Sequence, residues 1–94
     1  MSVPPYDPAT LDVQRQVLHI LDQVLSLRGR AAGFTASTRL LGSIPELDSM
    51  AVVAVITSLE EHFGFVVADD EIDGSTFATV GSLTAFVEGK LAQG

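Results

Sequence analysis

Ser49 stands directly behind Asp48, after a turn-rich stretch and at the head of an apolar-periodic one. Aspartate caps a helix N-terminus well, and a serine in the first turn then projects its hydroxyl into solvent, where another enzyme can reach it. An exposed hydroxyl can act as a nucleophile or accept a transferred group. The first role needs a base within hydrogen-bond reach and a group orienting that base. Ser49 lacks a Gly-x-Ser-x-Gly elbow, and nothing in the sequence pairs His19 or His62 with it, so the chain reads as a non-enzyme. With no cysteine, any thiol must arrive on a cofactor. The two histidines have no further ligand at zinc spacing, and Asp69, Asp70, Glu71 and Asp73 lack the spacing and glycine of an EF-hand, so no metal site is expected. By itself Asp48-Ser49 could be an ordinary helix start.

The elements that position Ser49 follow from apolar spacing. Leu11, Val17, Leu18, Leu21, Val24 and Leu25 recur at helical intervals and predict a first helix over Leu11–Leu27, capped by Thr10 and leaving near Gly29. Ala31–Leu47 is rich in Gly, Ser, Thr and Pro and predicts a long connection, anchored by Phe34, Leu40, Leu41, Ile44 and Leu47. So long a loop fits a small domain only if it is packed down or functional. Ser49–Phe63 predicts a second helix, with Val52, Ile56, Leu59 and Phe63 on one stripe widened by Val55, and Gly64 as its stop. Phe65-Val66-Val67 has no partner strand and reads as extended loop. Ser75–Ala78 predicts one helical turn, and Thr79 caps a last helix from Val80 to about Leu91. The result is an all-α fold, a small bundle of three long helices and one short, with a long loop between the first two long ones. Residues 1–94 form a single domain, and residues 1–9 read as a flexible tail.

Charge narrows the partners. The net charge is -7, and no Lys or Arg falls between Arg39 and Lys90, whereas nine of the twelve carboxylates do. That half repels nucleic-acid phosphates and anionic membranes, and it either attracts basic protein surfaces or is a solvated face that only keeps the protein soluble. No stretch approaches the roughly 20 apolar residues of a membrane span, so neither nucleic-acid binding nor membrane insertion is expected, and the chain reads as cytoplasmic.

Leu47-Asp48-Ser49-Met50, followed at the family spacing by Leu59-Glu60-Glu61-His62-Phe63, resembles the acyl and peptidyl carrier protein family, whose Asp-Ser pair is followed by Leu or Met. The resemblance extends over roughly Leu11 to Leu91. It implies a four-helix acyl-carrier-protein-like bundle and a covalent 4'-phosphopantetheine at Ser49, flanked by Asp48 and Met50. The arm is derived from coenzyme A by a phosphopantetheinyl transferase with a divalent metal, and its thiol carries acyl intermediates as thioesters. The partners so implied are that transferase and acyl-loading ligase or synthase enzymes with basic docking surfaces, met by a monomeric carrier. The wording of Leu47–Met50 and Asp73–Val80 is similar to that of the freestanding carriers associated with exosortase A and exopolysaccharide gene clusters.

Met50 and Val53 lie off the core stripe, where they either meet partner enzymes or tuck against the long loop; Glu60 and Glu61 are charged contacts further along. Ala51 and Ala54 stand where this family often carries acids. Val55, Leu59, Ile72 and Phe77, between the second helix and the short one, are either plain core or, where they part, the lining of a cargo pocket. Two other functions share the fold: an aminoacyl or D-alanyl carrier, with the same Ser49 chemistry, and an unmodified acidic helical adaptor, for which Ser49 is only a helix start.

Overall fold

The computed structural model describes residues 8–93. It contains α1 (Pro8–Leu25), α2 (Ser49–Phe63) and α3 (Val80–Gln93), with 3-10 turns at Arg30–Gly33 and Asp69–Glu71. Among the described residues the only β pairing is an isolated antiparallel bridge between Arg39 and Thr79. α1 packs against both α2 and α3. It contributes Val17, Ile20, Leu21 and Leu25 to a core completed by Val55 and Leu59 of α2, Phe77, and Val80, Leu83 and Val87 of α3. Of the apolar positions predicted for the first helix, Leu18 and Val24 are only half-buried.

α1 begins three residues before the position read from the sequence, so Thr10 is a helical residue and not the cap. Pro8 suits a first turn, because its fixed φ is helical and its missing N–H would lack an intrahelical acceptor. Pro8 and Ala9 are therefore part of a helix; residues 1–7 of the expected tail lie outside the described residues.

The exit of α1 also differs. Gly29 was the natural stop, but the chain turns at Ser26, a non-glycine residue at φ 55. The Leu27 N–H donates to Asp22 O at 3.0 Å, a six-to-one closure that puts Leu27 wholly inside the core. Burying a leucine stabilises by about 1.5–3 kcal/mol, which offsets the roughly 1–2 kcal/mol of the left-handed conformation at Ser26; Arg28, at φ 57, is left-handed as well. Gly29 serves the next turn instead. Asp22 Oδ2 accepts from the Gly29 N–H at 2.9 Å and the Ala31 N–H at 3.2 Å.

The long connection is packed down on the chain that enters α3. Leu27, Ala31, Leu40, Ile44 and Leu47 are buried. The Leu40 and Leu41 N–H groups donate to Ala78 O and Phe77 O, both at 3.0 Å. In return the Val80 and Gly81 N–H groups donate to Thr38 O at 2.9 Å and Ala36 O at 2.8 Å. Those two donors are among the first-turn N–H groups a helix leaves unpaired, so the loop completes the N-terminus of α3. Thr79 caps that helix as read: its Oγ1 accepts from the Ser82 N–H, and Ser82 Oγ from the Thr79 N–H, both at 3.0 Å. At Gly81 an added Cβ would lie 2.9 Å from Ala36 O, so only glycine allows this close approach.

The short element is displaced. Residues 74–77 form turns rather than the expected helical turn, closed by the Thr76 N–H on Asp73 O at 3.1 Å and the Ala78 N–H on Ser75 O at 3.2 Å, while the Asp73 carboxylate takes the Ser75 N–H at 2.9 Å, the Thr76 N–H at 3.2 Å and the Ser75 hydroxyl. The short helical element lies earlier, as the 3-10 turn Asp69–Glu71.

Candidate functional site

The site is the head of α2. Asp48 is in extended conformation and its Oδ1 accepts from the Ala51 N–H at 2.8 Å, while Asp48 O accepts from the Val52 N–H at 2.9 Å. This is the cap read from the sequence, and it fixes the first turn from which Ser49 and Met50 project. Both are exposed, Met50 by 79%. Leu47, buried to 4%, pins the chain immediately before them. Behind it the Arg30 guanidinium pairs with Glu46 and also donates from Nε to Leu27 O at 3.1 Å, which ties the 3-10 turn to the approach to α2. The Glu46 carboxyl is held below its ordinary pKa, first by its own backbone N–H and then by Arg30.

An exposed serine hydroxyl on the first turn of a fifteen-residue helix suits a phosphodiester. The helix presents N–H groups and the positive end of its dipole there. The Asp48 carboxylate opposes such an anion, but one of its oxygens is engaged by the cap.

The other candidate residues divide. Val53 is 62% exposed, so neither it nor Met50 tucks against the loop. Glu61 is exposed. Glu60 is half-buried, and its Oε2 accepts from the Val67 N–H at 2.8 Å, so it also fastens the segment after α2. Val55, Leu59 and Phe77 are at most 2% exposed, and half-buried Ile72 packs on the same core. These four side chains are core residues in this structure. A surface cleft of about 580 Å³ lies between α1 and the first 3-10 turn, along Gln14, Leu18, His19 and Ala32.

The remaining acids are partly committed. Glu71 accepts from Lys90 Nζ at 3.0 Å and from the Ala68 N–H at 2.9 Å; the Ala68 N–H, then Lys90, lowers its pKa. Asp73 is lowered first by the Ser75 hydroxyl, then by the backbone N–H groups of Ser75 and Thr76. His62 contacts Gln16 Oε1 through Nε2 at 2.6 Å, while Gln16 Nε2 donates to Asp12. That amide orientation makes His62 the donor and links α2 to α1. No group of three or more metal-ligand side chains that could hold an ion occurs among the described residues.

Sequence reasoning missed the capping role of Asp22, the Arg30–Glu46 pair and the Glu60–Val67 contact. Each joins a side chain to a backbone or side-chain group whose position only the fold sets. Pro8 was the one legible signal passed over.

Comparison with known proteins gives a consistent result. Residues 20–87 match the family model described as a phosphopantetheine attachment site. The chain is similar to the solution NMR structure of a holo acyl carrier protein from Nitrosomonas europaea, with 59% sequence identity and a TM-score of 0.80. That match covers 84% of this chain and 95% of the other. No match was found among curated proteins.

Proposed function

Since the chain belongs to the phosphopantetheine-attachment family, the acyl carrier proteins, which are carriers and not enzymes, we propose that Ser49 is the residue that bears its arm. The chain holds intermediates as thioesters on a covalent 4'-phosphopantetheine, and partner enzymes act on them. When attached, the arm supplies the terminal thiol on which cargo rides. The chain's own residues do the rest: Asp48 fixes the first turn, Leu47 anchors it, and Ser49 presents its hydroxyl outward. In the modification, Ser49 Oγ loses its proton and forms a new P–O bond, while the pyrophosphate of coenzyme A breaks and the nucleotide half leaves.

The observation that carries the assignment is the exposed Ser49 on the first turn of a capped helix, inside the matched region. An acyl cargo is favoured over an aminoacyl one by the similarity to an acyl carrier at 59% identity. Met50, Val53 and Glu61, with Glu60 behind them, are the surface through which partners meet the chain. Exposed Glu61 and Asp70 favour basic patches on the loading ligase or synthase. A cargo chain enters the core only where Val55, Leu59, Ile72 and Phe77 part. No helix among the described residues is long and apolar enough to cross a membrane, which is compatible with work in the cytoplasm. The wording of Leu47–Met50 and Asp73–Val80, which resembles that of carriers of exosortase-associated clusters, favours a role in such a cluster.

Tandem mass spectrometry of the protein after reaction with coenzyme A, Mg2+ and a broad-specificity phosphopantetheinyl transferase tests the assignment. The added group should map to the peptide containing Ser49. Attachment at another residue refutes it.

A further inference from the structure

The arm carries an anion as well as a thiol. Its phosphodiester is fixed to the serine oxygen and cannot leave the head of α2, where Glu46 and Asp48 already stand. Modification therefore brings a third negative charge into the four residues Glu46–Ser49. Repulsion among like charges so close together is relieved by a cation beside them. Among the described residues, Arg30 alone of the Lys and Arg side chains is bonded to residues 44–50, through its pair with Glu46. Lys90 is held on Glu71. Glu46 is three peptide steps from Ser49, so their Cα atoms are no more than about 11 Å apart.

Arg30 is also set in place before any arm arrives. The Asp22 carboxylate takes the N–H groups on either side of it, Gly29 at 2.9 Å and Ala31 at 3.2 Å, and Ala31 is buried. The guanidinium donates from Nε to Leu27 O at 3.1 Å and from one terminal nitrogen to Glu46. A guanidinium has five N–H donors, and the others meet no group among the described residues. Its side chain is 56% exposed, so an incoming anion can reach it. A planar fork with unused donors suits the paired oxygens of a phosphodiester. Because its backbone is already fastened, recruiting it costs little ordering entropy.

Resting on the assignment of Ser49 as the attachment residue, we propose that Arg30 is the cation that holds the phosphodiester of the arm, shared between it and Glu46. Its unused N–H groups donate to the phosphodiester oxygens, and no covalent bond changes. The contact ties the root of the arm to the first 3-10 turn and, through Asp22, to α1. Modification then tightens the first connection instead of straining it. The contact lies at the surface, so salt weakens it.

The test is a cycle of thermal melts. The parent, Arg30→Gln, Arg30→Lys, Glu46→Gln and Arg15→Gln are each melted before and after modification, with Mg2+ removed, at about 10 mM and about 500 mM salt. Loss of the Arg30–Glu46 pair lowers both melts alike, whereas a contact with the phosphodiester changes the difference between them. For Arg30→Gln, the modified-minus-unmodified Tm should fall about 2–5 °C below the parent's at low salt, and the gap should close at high salt. Arg30→Lys, a point charge without the fork, should keep part of the parent's difference. Glu46→Gln, which frees the guanidinium, should raise it. Arg15→Gln, which removes the same charge from the α1 wall of the cleft, should leave it unchanged. With no substitution at all, 15N NMR of the parent should show the Arg30 Nε and Nη signals move on modification and return part of the way in high salt. Equal differences in the parent and Arg30→Gln, an Arg15→Gln effect as large as that of Arg30→Gln, or unmoved Arg30 signals overturns the role of Arg30 alone. A parent that takes up no arm, or takes it up at another residue, overturns the Ser49 assignment and this inference together.

Discussion

The connection before α2 and the connection after it are held by different physics. Residues 26–48 are fixed by burial: Leu27, Ala31, Leu40, Ile44 and Leu47 enter the core, and backbone groups from Ala36 to Leu41 pair with residues 77–81. Residues 65–75 expose Val66 by 79%, and none of their described side chains is fully buried, Phe65 and Ile72 packing half-buried against the core. That segment is held largely by carboxylates: Glu60 on Val67, Glu71 on Ala68 and Lys90, and Asp73 on Ser75 and Thr76. The first connection places Ser49 mainly by apolar and backbone contacts indifferent to pH and salt, with the Arg30–Glu46 pair and the Asp22 carboxylate as its ionised fastenings. The second borders the core by contacts that depend on ionisation, and it should open at lower free energy.

Removing apolar volume from the first connection has the largest expected effect. Leu40→Ala, at a site with no exposure, should cost about 3 kcal/mol in urea unfolding. A loss below about 1 kcal/mol would mean that the loop is not part of the core. Gly81→Ala comes next, at about 1–3 kcal/mol, because its methyl would lie 2.9 Å from the Ala36 carbonyl. Gly89→Ala is its control on the same helix: nothing lies within 4 Å of the added Cβ, so the usual helical preference for alanine should stabilise by up to about 1 kcal/mol. Equal effects at the two glycines would remove the close approach from the account.

The smallest effect belongs to the second connection and appears with acid. Glu71 and Asp73 have depressed carboxyl pKa values in the folded chain. Their contribution is therefore complete above the ordinary carboxylate range of about 4 and disappears as pH falls through the lower folded values. Hydrogen exchange at residues 67–76 should quicken over that acid range before exchange at Leu40 and Leu41 does. Simultaneous loss of protection in both connections would contradict the distinction.

Much of this was legible in the sequence, for reasons particular residues make plain. The α2 stripe, the Asp48 cap and the Gly64 stop all depend on near neighbours, and all three stand where the spacing put them. The exit of α1 was not legible, because Ser26 adopts a left-handed conformation only by virtue of Leu27 reaching a core built from distant segments. The turns at residues 74–77 stand where a helical turn was expected, and the Asp73 side-chain contacts that hold them are not registered by apolar periodicity. At the site, the position of Ser49 was readable from Asp48 and the periodicity behind it. The fastening of Glu60 to Val67 was not, since an exposed and a bonded glutamate look alike in a sequence.

The most direct test of the carrier account compares the intact mass of the parent and of Ser49→Ala after incubation with coenzyme A, Mg2+ and a phosphopantetheinyl transferase. The account predicts a gain of one phosphopantetheinyl group in the parent and none in Ser49→Ala, with both proteins folded. An unmodified parent, or a Ser49→Ala protein that still gains the group, would contradict it.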